Sequence, residues 1–233
     1  NDSSCKLCQI DHTIVMNDIS YKKNVDFLPY VSSNLSGSRE KFYDRLNYDS
    51  AKFNYGIGVN IELNKNLSLE ATLNPDFSQV EADVTKIDIN SPTAINYPER
   101  RPFFNRGIDV LDYTMDVIYS RSINNPSFAS KIINRGKKSR VYMLTAIDQD
   151  SPYIVPTQFE SFSGLGGKSF NNILRYQNII NPNIQVGALA TNRLYEGDAY
   201  GNLIGLDGLL KLDGGWKFEL EYFNSSNKEP IAN

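Results

Sequence analysis

The sequence has one histidine, one tryptophan and two cysteines. His12 stands without a nucleophile in any triad-like arrangement around it. The cysteines form one pair, Cys5-Lys6-Leu7-Cys8. A C-x-x-C serves as a redox pair or as half of a zinc site. No second pair follows, so four-ligand zinc would need a carboxylate or water to join. A local disulfide or a free pair is the expectation, with no metal and no other cofactor. Basic residues are not in excess either: 24 Lys and Arg stand against 27 Asp and Glu, a net charge of −3. This balance argues against nucleic acid as a partner, because phosphate binding needs a basic face. No apolar run approaches the roughly 18 residues of a membrane helix. That excludes a helical span only, since a transmembrane strand needs about 9–11 residues, of which alternate ones are apolar.

What the chain does have favours strands and turns: 14 Tyr, 12 Phe and 26 Asn in 233 residues. The length suits one large all-β domain or two small ones. In FNYGIGVNIEL, Phe53, Tyr55, Ile57, Val59, Ile61 and Leu63 share one side, with Asn54, Gly56, Gly58, Asn60 and Glu62 on the other. Asn64-Lys65-Asn66 reads as the turn, and LSLEATL returns with Leu67, Leu69, Ala71 and Leu73 alternating. VDFLPYV (25–31) alternates too, and Pro29 marks an edge, a strand end or a bulge. Residues 32–50 read as a long loop or frayed hairpin. Further strands are expected at DVIYSRS near Asp116, SRVYMLTAID, NNILRYQNII, NIQVGALATNRLY, NLIGLDGLLKLD and GWKFELEYF. A loop, QDSPYIVPTQFESFSGLGGKS, separates the second and third of these. No segment keeps a 3.6-residue period. Residues 74–107 break the pattern with Pro75, Pro92, Pro98 and Pro102 and mixed charge. The expected organisation is an N-terminal segment, 1–24, whose structure the sequence does not define, then a strand domain, 25–233, containing 74–107 as an irregular insert.

Alternation alone fits two architectures. A soluble sandwich packs the apolar faces together. A membrane barrel turns them to lipid and keeps a polar lumen. Mid-strand charges (Glu62, Glu70, Lys217, Glu219, Glu221), aromatics toward strand ends (Phe53, Tyr55, Tyr195, Trp216, Tyr222) and strands of about 8–11 residues favour the barrel.

Three ordered blocks carry a resemblance: NPDFSQVEAD (74–83), PERRPFF (98–104) and the Tyr119-Ser120-Arg121 segment. With them the chain resembles the bacterial family catalogued as domain of unknown function 5916. The resemblance covers roughly residues 25–225 and is strongest over 53–123. It implies an outer-membrane β-barrel of Bacteroidetes-type, Gram-negative bacteria, often preceded by a module similar to family 9 carbohydrate-binding modules; no such module is visible here. Two departures stand out. Asn105-Arg106-Gly107 replaces the usual Leu-Glu-Gly, which reverses a charge, and Ser120-Arg121-Ser122-Ile123-Asn124 replaces Ser-Arg-Arg-Ile-Gly. The abrupt ends and the lack of a terminal aromatic lead to the expectation that this is a piece of a longer protein with further strands.

The acidic residues Asp76, Glu81 and Asp83 are candidates for acid–base work or Ca²⁺ binding, but neither EF-hand spacing nor a neighbouring His supports them. They are expected instead to turn inward and join Glu99, Arg100, Arg101, Arg106 and Arg121 in a lumen charge network, because unpaired buried charge is costly. PERRPFF reads as a rigid plug segment anchored by Phe103 and Phe104. Gly167-Lys168-Ser169 resembles the end of a phosphate loop, but Phe162 stands where the first Gly belongs. The reading that follows is all-β: an antiparallel meander forming part of a transmembrane β-barrel in the bacterial outer membrane, with an inward plug. It is expected to be structural or transport-related, without catalysis in this segment. Its partners would be outer-membrane lipid and a glycan or other small-molecule cargo. The alternative is a soluble β-rich carbohydrate-binding or glycan-processing module.

Overall fold

A computed structural model describes residues 22–39, 41, 43, 45–76, 99–156 and 161–229. Within them, nine long strands form one antiparallel sheet. In chain order these are β1 (Asn24–Asn34), β4 (Lys52–Asn64), β5 (Leu67–Leu73), β6 (Pro126–Arg135), β7 (Ser139–Asp148), β10 (Ser169–Asn181), β11 (Ile184–Tyr195), β12 (Tyr200–Lys211) and β13 (Lys217–Lys228). Two small hairpins interrupt the series: β2 (Gly37–Ser38) with β3 (Asn47–Tyr48), and β8 (Pro152–Pro156) with β9 (Ser161–Leu165). In the large sheet every strand pairs with the next one in this list, a pure meander with β1 and β13 at its edges. Pro29 lies in edge strand β1, where a missing N–H is tolerated.

Two of the tight turns use the same device. Asn64 Oδ1 accepts the backbone N–H groups of Asn66 and Leu67 at 2.9 and 3.0 Å. Asn181 Oδ1 accepts those of Asn183 and Ile184, both at 2.8 Å. Each is an Asx turn, and the ladder register shifts just before each. The turns after β4, β6, β10 and β12 are all short and share one rim of the sheet. The long connections, 35–51, 74–125 and 149–168, share the opposite rim, together with the brief 196–199 turn.

The two faces differ sharply. One face is covered by residues 99–125, which leave the sheet after β5 and pack back onto it. Phe104, Val110 and Ile123 are buried against Ile133, Tyr142, Leu144 and Leu189 of that face. The other face is open and apolar. Ile57 is 36 % exposed, Leu174 48 %, Leu206 62 % and Leu220 73 %. Cross-strand register aligns Leu73, Phe128, Ile147, Phe170, Leu194 and Tyr200 in one row across six strands near the loop rim. The next row is polar: Ser130, Thr145, Asn172, Asn192 and Asn202. Its members bond to one another, Thr145 Oγ1 to Asn172 Oδ1 at 2.9 Å and Asn192 Nδ2 to Asn202 Oδ1 at 2.6 Å.

The fold is all-β and meandering, as the alternation predicts. Three local expectations change. DVIYSRS is not a strand: residues 117–119 are irregular, Ser120–Ser122 is a 3-10 turn, and the sheet resumes at Pro126. Its apolar residues Val117 and Ile118, with Ile123 just after it, pack onto the covered face instead. The excursion between β5 and β6 therefore continues to 125 rather than ending at 107. The 149–169 region, expected as a loop, contains the β8–β9 hairpin.

Candidate functional site

The covered face and the segment docked on it bring together most of the buried charge. The segment begins with Glu99, Arg100 and Arg101 and continues into a one-turn helix, α1 (Pro102–Asn105), with Pro at its first position, where no N–H is needed. Arg101 is fully buried. Its Nε and Nη2 donate to the two Glu99 oxygens at 2.9 and 2.8 Å. Its remaining donors reach the carbonyls of Ile123 at 2.6 Å and Ser120 at 3.0 Å. The Ser120 hydroxyl donates to Glu99 at 2.6 Å. One guanidinium thus ties the start of the segment to its end. It also stacks 4.1 Å over the Phe104 ring, which meets Phe103 edge-on at 5.2 Å.

The sheet holds the middle of the segment through a second cluster. Lys131, on β6, donates to the carbonyls of Phe103 and, at 2.8 Å, Arg106, so it satisfies two open acceptors at the end of α1. Glu70 on β5 lies 3.2 Å from Lys131 and 3.1 Å from Arg106. Gly107 follows with φ 89°, and a Cβ there would approach Ile133 Cδ1 to 2.6 Å. Only glycine satisfies both the left-handed backbone and the close approach to the sheet. Further along, Arg175 of β10 reaches across β11 to Asp207 of β12, a two-bond pair with Nη2–Oδ2 at 2.8 Å. Its path lies over Gly187, where a Cβ would stand 2.2 Å from Nη1. Arg175 also covers the Tyr113 ring at 4.8 Å. Burial raises the Tyr113 phenol above its ordinary range, although Arg175 pulls in the opposite direction. Buried Asp148 closes the segment by accepting the N–H groups of Asn124 and Asn125 at 3.0 and 2.6 Å and the Ser151 hydroxyl at 2.6 Å.

Of the residues the sequence points to, Glu99 and Arg101 come together as a buried pair. Arg106 meets Glu70, which the sequence marks as a lumen charge but does not place with it. Arg100 is exposed, and Arg121 is half-buried within the 3-10 turn. Asp76 accepts a hydrogen bond from Ser32 of β1 at 2.6 Å, on the covered-face side of that strand. Glu81 and Asp83 lie outside the described residues. Lys131, Arg175, Asp207 and Asp148 were not singled out from the sequence. A signal was available: each is a charge at a covered-face position of a largely apolar strand.

The family model of a domain of unknown function, DUF5916, matches residues 24–145, more than half of the chain. The chain belongs to the DUF5916 family. No curated protein and no solved structure matches it. The DUF5916 match runs from β1 into β7 and takes in the whole docked segment, so the Glu99–Arg101 and Glu70–Lys131 clusters fall inside the family region. Among the described residues of this DUF5916 chain, no group of three or more His, Cys, Asp or Glu is arranged to hold a metal ion.

Burial works to raise the Glu99 carboxyl, but the hydrogen bonds from Arg101 and Ser120 and the Arg101 charge outweigh it, so the group titrates below its ordinary range. A carboxylate held low contributes stability above its unfolded pKa of about 4.3, and that contribution is lost as pH falls through the folded value. Hydrogen-exchange protection of residues 99–123 is therefore expected to stay constant from pH 7 to about 5 and to fall below about 4.3. In Glu99→Gln the protection should be lower at pH 7 and this acid step absent.

Proposed function

We propose that the protein is an outer-membrane β-barrel protein, structural or transport-related, with no catalysis in this segment and with residues 99–125 filling part of its lumen. The observation that carries this reading is sidedness. The charged and packed face is the one covered by the chain itself, while the face of large apolar side chains is left open. A soluble protein rarely exposes a contiguous apolar surface of this extent; a lipid-facing wall requires one.

Three features agree with it. Short turns on one rim and long connections on the other match the turn and loop asymmetry of outer-membrane barrels. From Tyr200 to Leu210 the open-face positions of β12 cover ten residue steps, about 34 Å of strand at about 3.4 Å each. With a tilt of about 40° this becomes about 26 Å, close to the apolar band of about 25 Å that such barrels need. Four members of the polar row bond in two pairs, Thr145 with Asn172 and Asn192 with Asn202, as polar groups without water do. The partner on this reading is outer-membrane lipid, and the cargo is a small polar molecule.

Fractionation of Gram-negative cells producing the exported protein tests this. The expected result is recovery in the membrane pellet after a urea wash and release by detergent. Recovery in the soluble fraction without detergent would overturn the assignment.

A further inference from the structure

The covered face of the sheet holds several buried or half-buried cations, and most of them have a carboxylate. Arg101 has Glu99, Arg106 and Lys131 share Glu70, and Arg175 has Asp207. Arg193, on β11, does not. Its Nε donates to Asn171 Oδ1 at 2.6 Å and its Nη2 to the Ser122 hydroxyl. Nη1 has only the Pro152 carbonyl and the Tyr195 hydroxyl, both at 3.5 Å, the outer limit of a hydrogen bond. All four acceptors are neutral, and among the described residues no carboxylate comes within ion-pair distance of this guanidinium. Withdrawing a guanidinium from water without a counter-charge is costly.

Arg193 also lines a cavity of about 550 Å³, a size typical of small-molecule sites. The cavity lies on the covered face at the loop rim, between the docked segment and β10 to β13. Tyr119, Tyr153 and Tyr195 contribute aromatic rings, and Ile118 and Leu203 an apolar surface. Lys228 and Glu229 also line it, and Lys228 lies 3.5 Å from Asp198. Arg193 thus brings to the cavity a guanidinium with no carboxylate of the described residues within ion-pair distance, beside surfaces suited to the flat or ring-shaped part of an organic molecule.

We propose that this cavity binds a carboxylate-bearing ring compound, with the carboxylate on the Nη1 side of Arg193 and the ring against the tyrosines. Asn171 and Ser122 then act as positioning groups, holding the guanidinium plane so that its free edge faces the cavity. A planar fork of donors is the geometry that carboxylates take in two parallel bonds. Acidic saccharides and aromatic acids share this chemistry. The site depends on the covered face alone and goes beyond the membrane assignment: a chain that bound the ligand while soluble in water would keep this site and lose that assignment.

The test is calorimetric titration of the full chain with digalacturonate, phenylacetate, the neutral disaccharide galactobiose and inorganic phosphate. At least one of the two carboxylates is expected to bind. Arg193→Gln should weaken that binding about ten- to a hundredfold. Asn227→Asp, which adds a negative charge to the cavity lining without removing a buried cation, should weaken it in the same direction. Four results would each overturn the proposal: no binding of either carboxylate at millimolar concentration, binding of phosphate alone, equal binding of galactobiose, or carboxylate binding that neither variant changes.

Discussion

Leu206→Arg is expected to destabilise the protein by about 2–4 kcal/mol in a lipid bilayer, the cost of an arginine at the midplane of a barrel wall. Leu206 is suited to this test because it lies mid-way along β12, on the open face, flanked in register by Ala188 and Tyr222. It touches none of the ion pairs on the other face. If the open face met water instead, the same change would stay within about 0.5 kcal/mol, as surface substitutions usually do. Unfolding by urea from vesicles, compared with wild type, separates the two results. A change of less than about 1 kcal/mol in vesicles would mean that this face does not look at lipid.

Arg101→Ala is expected to cost about 3–5 kcal/mol, because it leaves Glu99 charged and buried without its guanidinium, held only by the Ser120 hydroxyl and the backbone N–H of residue 101. The Phe104 ring loses its stacked partner in the same step. Arg101→Lys should rescue little of this, since an ammonium cannot reach both Glu99 oxygens and the Ile123 and Ser120 carbonyls from one plane. The paired change Arg101→Met with Glu99→Leu should cost less than the single change, because no orphaned charge remains. The denaturation midpoint and the exchange protection of residues 99–123 report both effects. Equal losses for the single and paired variants would show that the ion pair is not what holds the segment.

How far these features could be read from the sequence varied along the chain. The two-residue period around Phe53 to Leu73 and Trp216 to Tyr222 is enough to find those strands and to sort their side chains onto two faces. The same period misled at 117–123, where Val117, Ile118 and Ile123 resemble a strand but pack on the sheet instead of pairing within it. Alternation reports that one side of a segment is apolar, not whether its backbone donors go to a neighbouring strand. The charge pairings were legible only in part. Glu99 and Arg101 are two residues apart, so proximity suggests them. Glu70 and Arg106 are brought together by the return of the docked segment over β5 and β6, and nothing local encodes that return. Arg175 and Asp207 required knowing that β11 lies between them and that Gly187 leaves the path clear.

The meander has a consequence for the order of events during folding. From β6 onward each strand pairs with the one that follows, mostly through brief reversals, and such hairpins zip quickly because little chain must be gathered. The junction of β5 and β6 is the exception, since the whole excursion lies between two strands that end up as neighbours. Closing a loop that long carries the largest entropic toll along the sheet. Docking of the excursion repays it by giving β5 and β6 a shared anchor in Glu70 and Lys131. The slow step of assembly is accordingly expected at this seam, with the N-terminal strands joining a C-terminal sheet that has already formed.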